Sequence, residues 1–242
     1  MLMARVDVGL PFPVPNLVAA AYDGDQYGPA SHDDLGVALP PSLSGAVSRR
    51  KAAYLAGRYC AMQSLSQAGH PLPCDLPIGE DRSPVWPDGL VGSITHTDGL
   101  AAAVVASARD ARGLGIDAES VIGVETCRLL RDQVVCDGEW RFGGDGSSWS
   151  DRLFFTMIFS AKESIFKCLY PQVGKYFDFL DVEIVAWDAE SRAFRFRVLT
   201  DLSDRVSAGF EADGCYSILP GMVFTYVGWP CRPRQEKGRI GC

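Results

Sequence analysis

From Ser44 onward the apolar positions recur every three to four residues. Val47, Tyr54, Leu55, Ala61, Met62 and Leu65 fall on one face at about 100° per residue, which predicts a helix that Gly69, Pro71 and Pro73 stop. Residues 1–43, rich in Pro and Gly, read as short strands and loops. A long loop to Pro87 precedes two apolar runs, Val91–His96 and Leu100–Ser107, which the turn Thr97-Asp98-Gly99 joins as a hairpin. Gly113–Glu119 reads as a further strand, 123–142 as helix and 143–150 as a Gly/Ser loop. Ser148 and Asp151 stand in capping-box spacing before a strong helix, Asp151–Tyr170, with Leu153, Met157, Ala161 and Ile165 on one face and Pro171 as its stop. Alternation predicts strands within 181–200 and 215–228.

A long helix followed by paired strands therefore occurs twice. The pattern predicts an α+β protein of two similar halves, 1–112 and 113–229, with an unstructured basic tail at 230–242. Length agrees, since 242 residues make one to two domains. The net charge of −7 argues against a dedicated nucleic-acid binder, which needs clustered positive charge. The longest apolar run, Leu100–Ala106, is far short of the ~20 residues that span a bilayer. An N-terminus broken by Pro11, Pro13 and Pro15 lacks a signal-peptide core. Eight cysteines include no C-x-x-C pair, so reduced cytoplasmic thiols are expected.

Three sets of residues could carry chemistry. Asp117 and Glu119, two apart on a strand, project from one face while Ile116 and Ala118 point to the other. Carboxylates so placed repel one another unless a cation or proton lies between them, and such oxygens suit Mg²⁺ or Ca²⁺; acids on a solvent-facing edge strand are the alternative. On the later helix, Ser160, Glu163 and Lys167 share a face. Glu163 and Lys167 form either a surface pair worth ~0.3–0.5 kcal/mol or a metal ligand beside a phosphate-binding ammonium. Arg58 falls at the centre of the first helix's apolar stripe. A buried guanidinium needs a partner, so an internal salt bridge, a stem reaching to solvent or an anionic ligand is expected there. Arg82 and His96 would extend a basic lining. Gly143-Gly144-Asp145-Gly146 has no following Lys-Ser/Thr and is not a P-loop. Ser93 and Ser160 do not stand in a nucleophile elbow.

These segments together resemble the 4′-phosphopantetheinyl transferase superfamily, in its larger, pseudo-dimeric type. The resembling pieces are Arg50-Lys51 through Leu55-Ala56-Gly57-Arg58, Gly79-Glu80-Asp81-Arg82-Ser83-Pro84-Val85-Trp86-Pro87, Gly92-Ser93-Ile94-Thr95-His96, Gly115-Ile116-Asp117-Ala118-Glu119, and Phe159 through Lys167. They keep the family's order over roughly residues 44–175. Ala53 departs from it, standing where many members carry Glu.

The resemblance implies two α/β halves related by pseudo-twofold symmetry, with coenzyme A in the cleft between them. It implies Mg²⁺-dependent transfer of 4′-phosphopantetheine from coenzyme A to a serine of an acyl or peptidyl carrier protein, releasing adenosine 3′,5′-bisphosphate. Siderophore or other nonribosomal peptide or polyketide synthesis is the expected setting, and a cytoplasmic monomer without a membrane span or nucleic-acid partner the expected form. Carried over by position, Asp117, Glu119 and Glu163 become metal ligands, and Glu163 and Lys167 the catalytic pair. Arg50, Arg58, Arg82, Thr95 and His96 would bind coenzyme A with Lys167, and Lys162 and Lys175 would add phosphate contacts. Another Mg²⁺-dependent phosphoryl or nucleotidyl transferase, and a catalytically silent coenzyme A- or carrier-binding module, are the alternatives.

Overall fold

A computed structural model of the chain describes residues 1–73, 76–143 and 150–231. Two antiparallel sheets carry the fold. The first is built from β1 (Met3–Arg5), β2 (Val18–Tyr22), β3 (Leu90–Thr97) and β4 (Leu100–Ser107), in the order β1-β2-β4-β3. The second is built from β5 (Ala111–Ser120), β6 (Val182–Asp188), β7 (Ala193–Val198), β8 (Glu211–Leu219) and β9 (Met222–Pro230), in the order β5-β9-β8-β7-β6. Helices α1 (Ser31–Leu35) and α2 (Ser48–Gln67) fall between β2 and β3 in the chain, α3 (Val124–Val134) and α4 (Asp151–Val173) between β5 and β6.

The unbroken apolar run of β4 has a simple cause, because both of its faces are covered. Ala101 and Ala103 pack with Ala52, Ala56 and Cys60 of α2. Leu100, Ala102 and Val104 pack with Leu114, Ile116 and Ala118 of β5 and with Phe224 of β9. The even-numbered residues of β5 are thus spent on the core between the sheets, and its odd-numbered ones, Gly113, Gly115, Asp117 and Glu119, face the other way. Helix α4 lies on that side. A Cβ on Gly115 would stand 1.8 Å from the Ser164 carbonyl oxygen, and one on Gly113 2.0 Å from that of Cys168. The helix backbone therefore rests directly on the strand. Small polar residues complete the seat: Ser160 and Ser164 hydroxyls meet the Thr225 hydroxyl at 3.0 and 2.6 Å. The opposite face of α4 anchors the second core through Phe154, Met157, Ile158, Ile165 and Leu169.

Strands β3 and β5 belong to separate ladders yet run side by side and parallel. The Ile116 N–H donates to Ser93 Oγ at 3.1 Å, the Ala118 N–H to Thr95 Oγ1 at 3.1 Å, and the Thr97 and Ser120 hydroxyls meet at 3.2 Å. Side-chain hydroxyls stand where a backbone ladder would be. The N-terminal segment also crosses the joint, since the Ser217 hydroxyl donates to the Val8 carbonyl and the Arg192 guanidinium to that of Gly9.

The expected elements are present with shifted bounds. α2 begins at Ser48 rather than Ser44, and Val47, expected on its apolar face, precedes the helix and is 72% exposed. The helix expected over 123–142 is broken by extended residues at Val135 and Cys136; the Glu139 carboxylate then accepts the Cys136 N–H at 2.6 Å and starts a 3₁₀ turn, Asp137–Phe142. Pro171 does not end α4. In the last turn its missing N–H forfeits only a bond to the Lys167 carbonyl, and Gly174, at φ 71°, closes the helix. Ser148 of the expected capping box lies outside the described residues, as do 144–146 of the glycine-rich loop and the tail from 232; Ser150 caps α4 instead, accepting from the Leu153 N–H at 3.3 Å. Cys60, Cys127, Cys136, Cys168 and Cys231 are free thiols, and Cys60, Cys168 and Cys215 are buried as small hydrophobes. Among the described residues no helix is long and apolar enough to cross a membrane.

The close seat of α4 makes a direct prediction. Gly115→Ala forces a Cβ into the Ser164 carbonyl and should cost ~3 kcal/mol, whereas Gly45→Ala, with open space around the new methyl, should stay within about 0.5 kcal/mol. Urea unfolding of both variants checks this; equal stability would mean the helix is free to lift.

Candidate active site

Because Gly113 and Gly115 bring α4 onto β5, the next odd residues of the strand meet the helix's side chains. Lys167 Nζ donates to Asp117 Oδ1 at 2.7 Å and to the Ile116 carbonyl at 3.2 Å. Asp117 is 3% exposed, which removes the solvent-facing edge-strand alternative. Thr95 Oγ1, already accepting the Ala118 N–H, donates to the same Oδ1 at 3.3 Å. Asp117 Oδ2 is buried and has no hydrogen-bond partner among the described residues.

Glu119 follows Asp117 on the same face, and Glu163 lies one helical turn before Lys167; both are half-buried. Burial, then repulsion from Asp117 and, more weakly, from Glu163, pushes the Glu119 carboxyl up to about 7 against the pull of Lys167. Burial and Asp117 likewise raise Glu163, with Lys167 opposing. The His96 ring reaches solvent, yet the protein packed around it and the Lys167 charge lower its pKa. These mutual influences place Asp117, Glu119, Glu163, Lys167 and His96 in one electrostatic cluster, with three acids facing one ammonium. The cluster is short of positive charge.

Arg58 approaches from α2. Gly57 lets α2 close on β3, where a Cβ would meet Ile94 at 3.0 Å and His96 at 3.8 Å. Its neighbour Arg58 is 8% exposed, lies 5.2 Å from the centre of the Tyr54 ring, and leaves Nη1 buried without a hydrogen-bond partner. Among the described residues no salt bridge holds it, and Nη1 is shut away from solvent. A buried guanidinium nitrogen without a partner is costly and suits an anion.

The remaining expected contacts differ in burial and partners. The Lys162 ammonium is spent elsewhere: it is buried against Glu139 at 3.0 Å and donates to the carbonyls of Val134 at 2.8 Å and Phe179 at 3.1 Å. Burial raises the Glu139 carboxyl and Lys162 opposes it, a pairing that closes the second half's core. In this structure the Lys162 ammonium is thus occupied within the protein, although the residue also lines the cavity beside Glu163. Arg50, Arg82 and Lys175 are exposed. Arg82 sits at φ 68° in a turn held by Asp81, whose Oδ1 accepts from the Ser83 N–H and hydroxyl at 3.0 and 2.7 Å. A cavity of about 120 Å³ opens beside Glu163, walled by Phe166, Tyr176, Phe177 and Phe179. A larger one of about 780 Å³, beside His32 and Lys51, is lined by none of the three carboxylates.

Sequence reasoning missed Gly113 and Ser93, although glycines two apart on the same strand face as the acids were a usable sign of close helix approach. Glu139, a buried acid in a short turn, carried no such sign.

The donor set fits a small hard cation: a buried carboxylate oxygen without a partner among the described residues, flanked by two glutamates whose ionised forms burial, and then the Asp117 charge, disfavours. As the side chains stand, no group of three among the described residues is drawn together to hold a metal, so closing the set needs rotation of the glutamates.

A family model described as 4′-phosphopantetheinyl transferase N-terminal domain matches residues 40–106, and one described as 4′-phosphopantetheinyl transferase superfamily matches residues 113–211. The 4′-phosphopantetheinyl transferase Svp of Streptomyces mobaraensis is 36% identical over 188 residues, covering 76% of this chain and 74% of that protein. Enterobactin synthase component D of Escherichia coli strain K12 is 38% identical over 149 residues, 61% of this chain and 68% of that protein. The 4′-phosphopantetheinyl transferase Npt of Nocardia iowensis is 29% identical over 195 residues, 77% of this chain and 86% of that protein.

The raised Glu119 carboxyl fixes the sign of a pH dependence. Its pKa rises from 4.5 to about 7 on folding, so its contribution to stability is full below 4.5 and is lost as pH rises through about 7. With a chelator present, Glu119→Gln should therefore be more stable than the parent at about pH 8. The difference should shrink towards pH 4.5 in urea unfolding. A gap independent of pH would remove Glu119 from the cluster.

Proposed function

The chain belongs to the 4′-phosphopantetheinyl transferase superfamily, and we propose that its acid cluster transfers 4′-phosphopantetheine from coenzyme A to a serine of an acyl or peptidyl carrier protein. The observation that carries this reading is the buried Asp117 carboxylate. One of its oxygens is held by Lys167 and the other is left without a donor, between Glu119 and Glu163.

Asp117, Glu119 and Glu163 are the residues that would hold Mg²⁺, which when bound supplies neutralising charge to the pyrophosphate. Arg58 and His96 take the nucleotide end with its 3′-phosphate, supported by the unpaired Arg58 Nη1 and the packing of Gly57 against His96. The exposed Arg50, Arg82 and Lys175 serve as outer contacts. The aromatic cavity beside Glu163 suits the pantetheine arm. In the reaction the serine Oγ forms a bond to the phosphorus bearing the pantetheine arm. The bond from that phosphorus to the bridging oxygen breaks, and adenosine 3′,5′-bisphosphate leaves. The hydroxyl proton passes to Glu163, whose carboxylate burial makes more basic than an exposed one. Lys167 meets the charge that builds on the departing phosphate.

In this reading coenzyme A lies in the cleft between two pseudo-symmetric halves, and the enzyme works as a cytoplasmic monomer. Similarity to enterobactin synthase component D supports carriers of siderophore or other nonribosomal peptide or polyketide synthesis. The test is mass spectrometry of an apo carrier protein incubated with the enzyme, coenzyme A and Mg²⁺. One added phosphopantetheine on serine, absent with chelator, is expected; an unchanged carrier would favour a silent binding module.

Two variants probe the roles separately. Lys167→Met keeps most of the stem and removes the charge, so kcat should fall on the order of a hundredfold with a smaller change in coenzyme A affinity. A near-parent rate would leave Lys167 as only the partner of Asp117. Arg58→Met should weaken coenzyme A at least tenfold while sparing dephospho-coenzyme A, because a charge-assisted phosphate contact contributes about 1.5–3 kcal/mol. Equal weakening of both ligands in calorimetry would make Arg58 a packing residue.

A further inference from the structure

Thr95 stands next to His96 in sequence, but on the other face of β3, turned towards β5 rather than α2. It is 5% exposed and makes two bonds across the joint between the sheets. As acceptor it takes the Ala118 N–H at 3.1 Å, and as donor it reaches Asp117 Oδ1 at 3.3 Å. A hydroxyl can do both at once, because it carries one donor hydrogen and two acceptor lone pairs. Lys167 donates to the same Oδ1 at 2.7 Å. Two donors from different elements therefore converge on one carboxylate oxygen and fix the rotation of the carboxylate plane, which leaves Oδ2 unpartnered. Ser93 makes the same kind of joint two residues earlier, accepting the Ile116 N–H at 3.1 Å, and has no bond to Asp117.

We propose that Thr95 is a positioning residue for Asp117, setting the carboxylate so that Oδ2 stays open to the cation, instead of a nucleotide contact. The inference rests on the reading of Asp117 as a metal ligand. Thr95 acts through Asp117 and touches no reacting atom. It also fixes the register of β3, which carries His96, against β5, which carries the acids, so the nucleotide and metal ends of the site share one side chain as reference.

The test is Mn²⁺ binding to the full chain with coenzyme A present, read from the electron paramagnetic resonance signal of the free ion. Thr95→Val keeps the shape and removes the hydroxyl; its Mn²⁺ affinity should fall about tenfold or more, the usual effect of losing a partner that orients a metal ligand. Thr95→Ala provides the same reading should the valine variant fail to fold, and Thr95→Ser should restore parent affinity. Ser93→Ala, which breaks the neighbouring bond to β5 alone, should lower stability and leave Mn²⁺ affinity unchanged. Parent-like affinity in Thr95→Val or Thr95→Ala, or an equal loss in Ser93→Ala, overturns the positioning role while the metal reading stands. A parent protein that takes up no Mn²⁺ overturns the metal reading and this role with it.

Discussion

The site depends on how closely one helix can lie on one strand. Gly113 and Gly115 have no Cβ, and the carbonyls of Cys168 and Ser164 occupy that space. Side chains on a strand alternate, so the face that seats the helix at its glycines also carries Asp117 and Glu119. The helix has a period near 3.6 residues, so the turn that touches Gly115 through Ser164 also brings Lys167 to Asp117 and Glu163 beside it. A larger residue at either glycine would lift α4 and separate the charges. The chemistry is thus a consequence of backbone approach, with the side chains filling the places that approach creates.

Helix α4 carries two lysine–acid pairs that illustrate opposite uses of burial. Lys162 and Glu139 are complete: the ammonium also bonds two carbonyls, and the carboxylate also accepts the N–H groups of Cys136 and Ile184 at 2.6 and 2.7 Å. A buried pair persists only when its remaining valences are met in this way. Lys167 and Asp117 are incomplete. Two further acids crowd them, and among the described residues one carboxylate oxygen and the Arg58 Nη1 on α2 lack partners. A folded protein tolerates such frustration where a ligand relieves it, and here acids and guanidinium ask for a cation and an anion respectively.

The α+β class and the run of elements were legible because periodicity reports burial: the apolar run of β4 and the stripe of α2 mark surfaces that must be covered. Boundaries were less legible, since Pro171 and the break at Cys136 depend on which backbone bonds the surroundings replace. In the site, Asp117, Glu119, Glu163 and Lys167 could be paired from strand and helix spacing, and the structure brings them together. Lys162 could not be sorted from its neighbours, because its direction is decided by Glu139, a residue 23 positions away on a turn with no periodic signature. Burial of Arg58 followed from its angle on the helix. Its lack of a partner did not, since spacing within one helix says nothing of what the facing strand offers.

The joint between β3 and β5 explains why a hydroxyl-rich strand is useful there. An ordinary ladder would satisfy the same N–H groups with backbone carbonyls, which only accept. Hydroxyls accept the strand's N–H and keep a hydrogen to donate, so the contact that aligns the sheets can also orient a carboxylate. Ser93 and Thr97 show that alignment alone needs no acid, because their bonds go to the Ile116 N–H and the Ser120 hydroxyl. At Thr95 the same device coincides with Asp117. β5 and α4 carry the acids and the lysine, α2 and β3 carry Arg58 and His96, and the edge along which β3 meets β5 brings the two sets near one another.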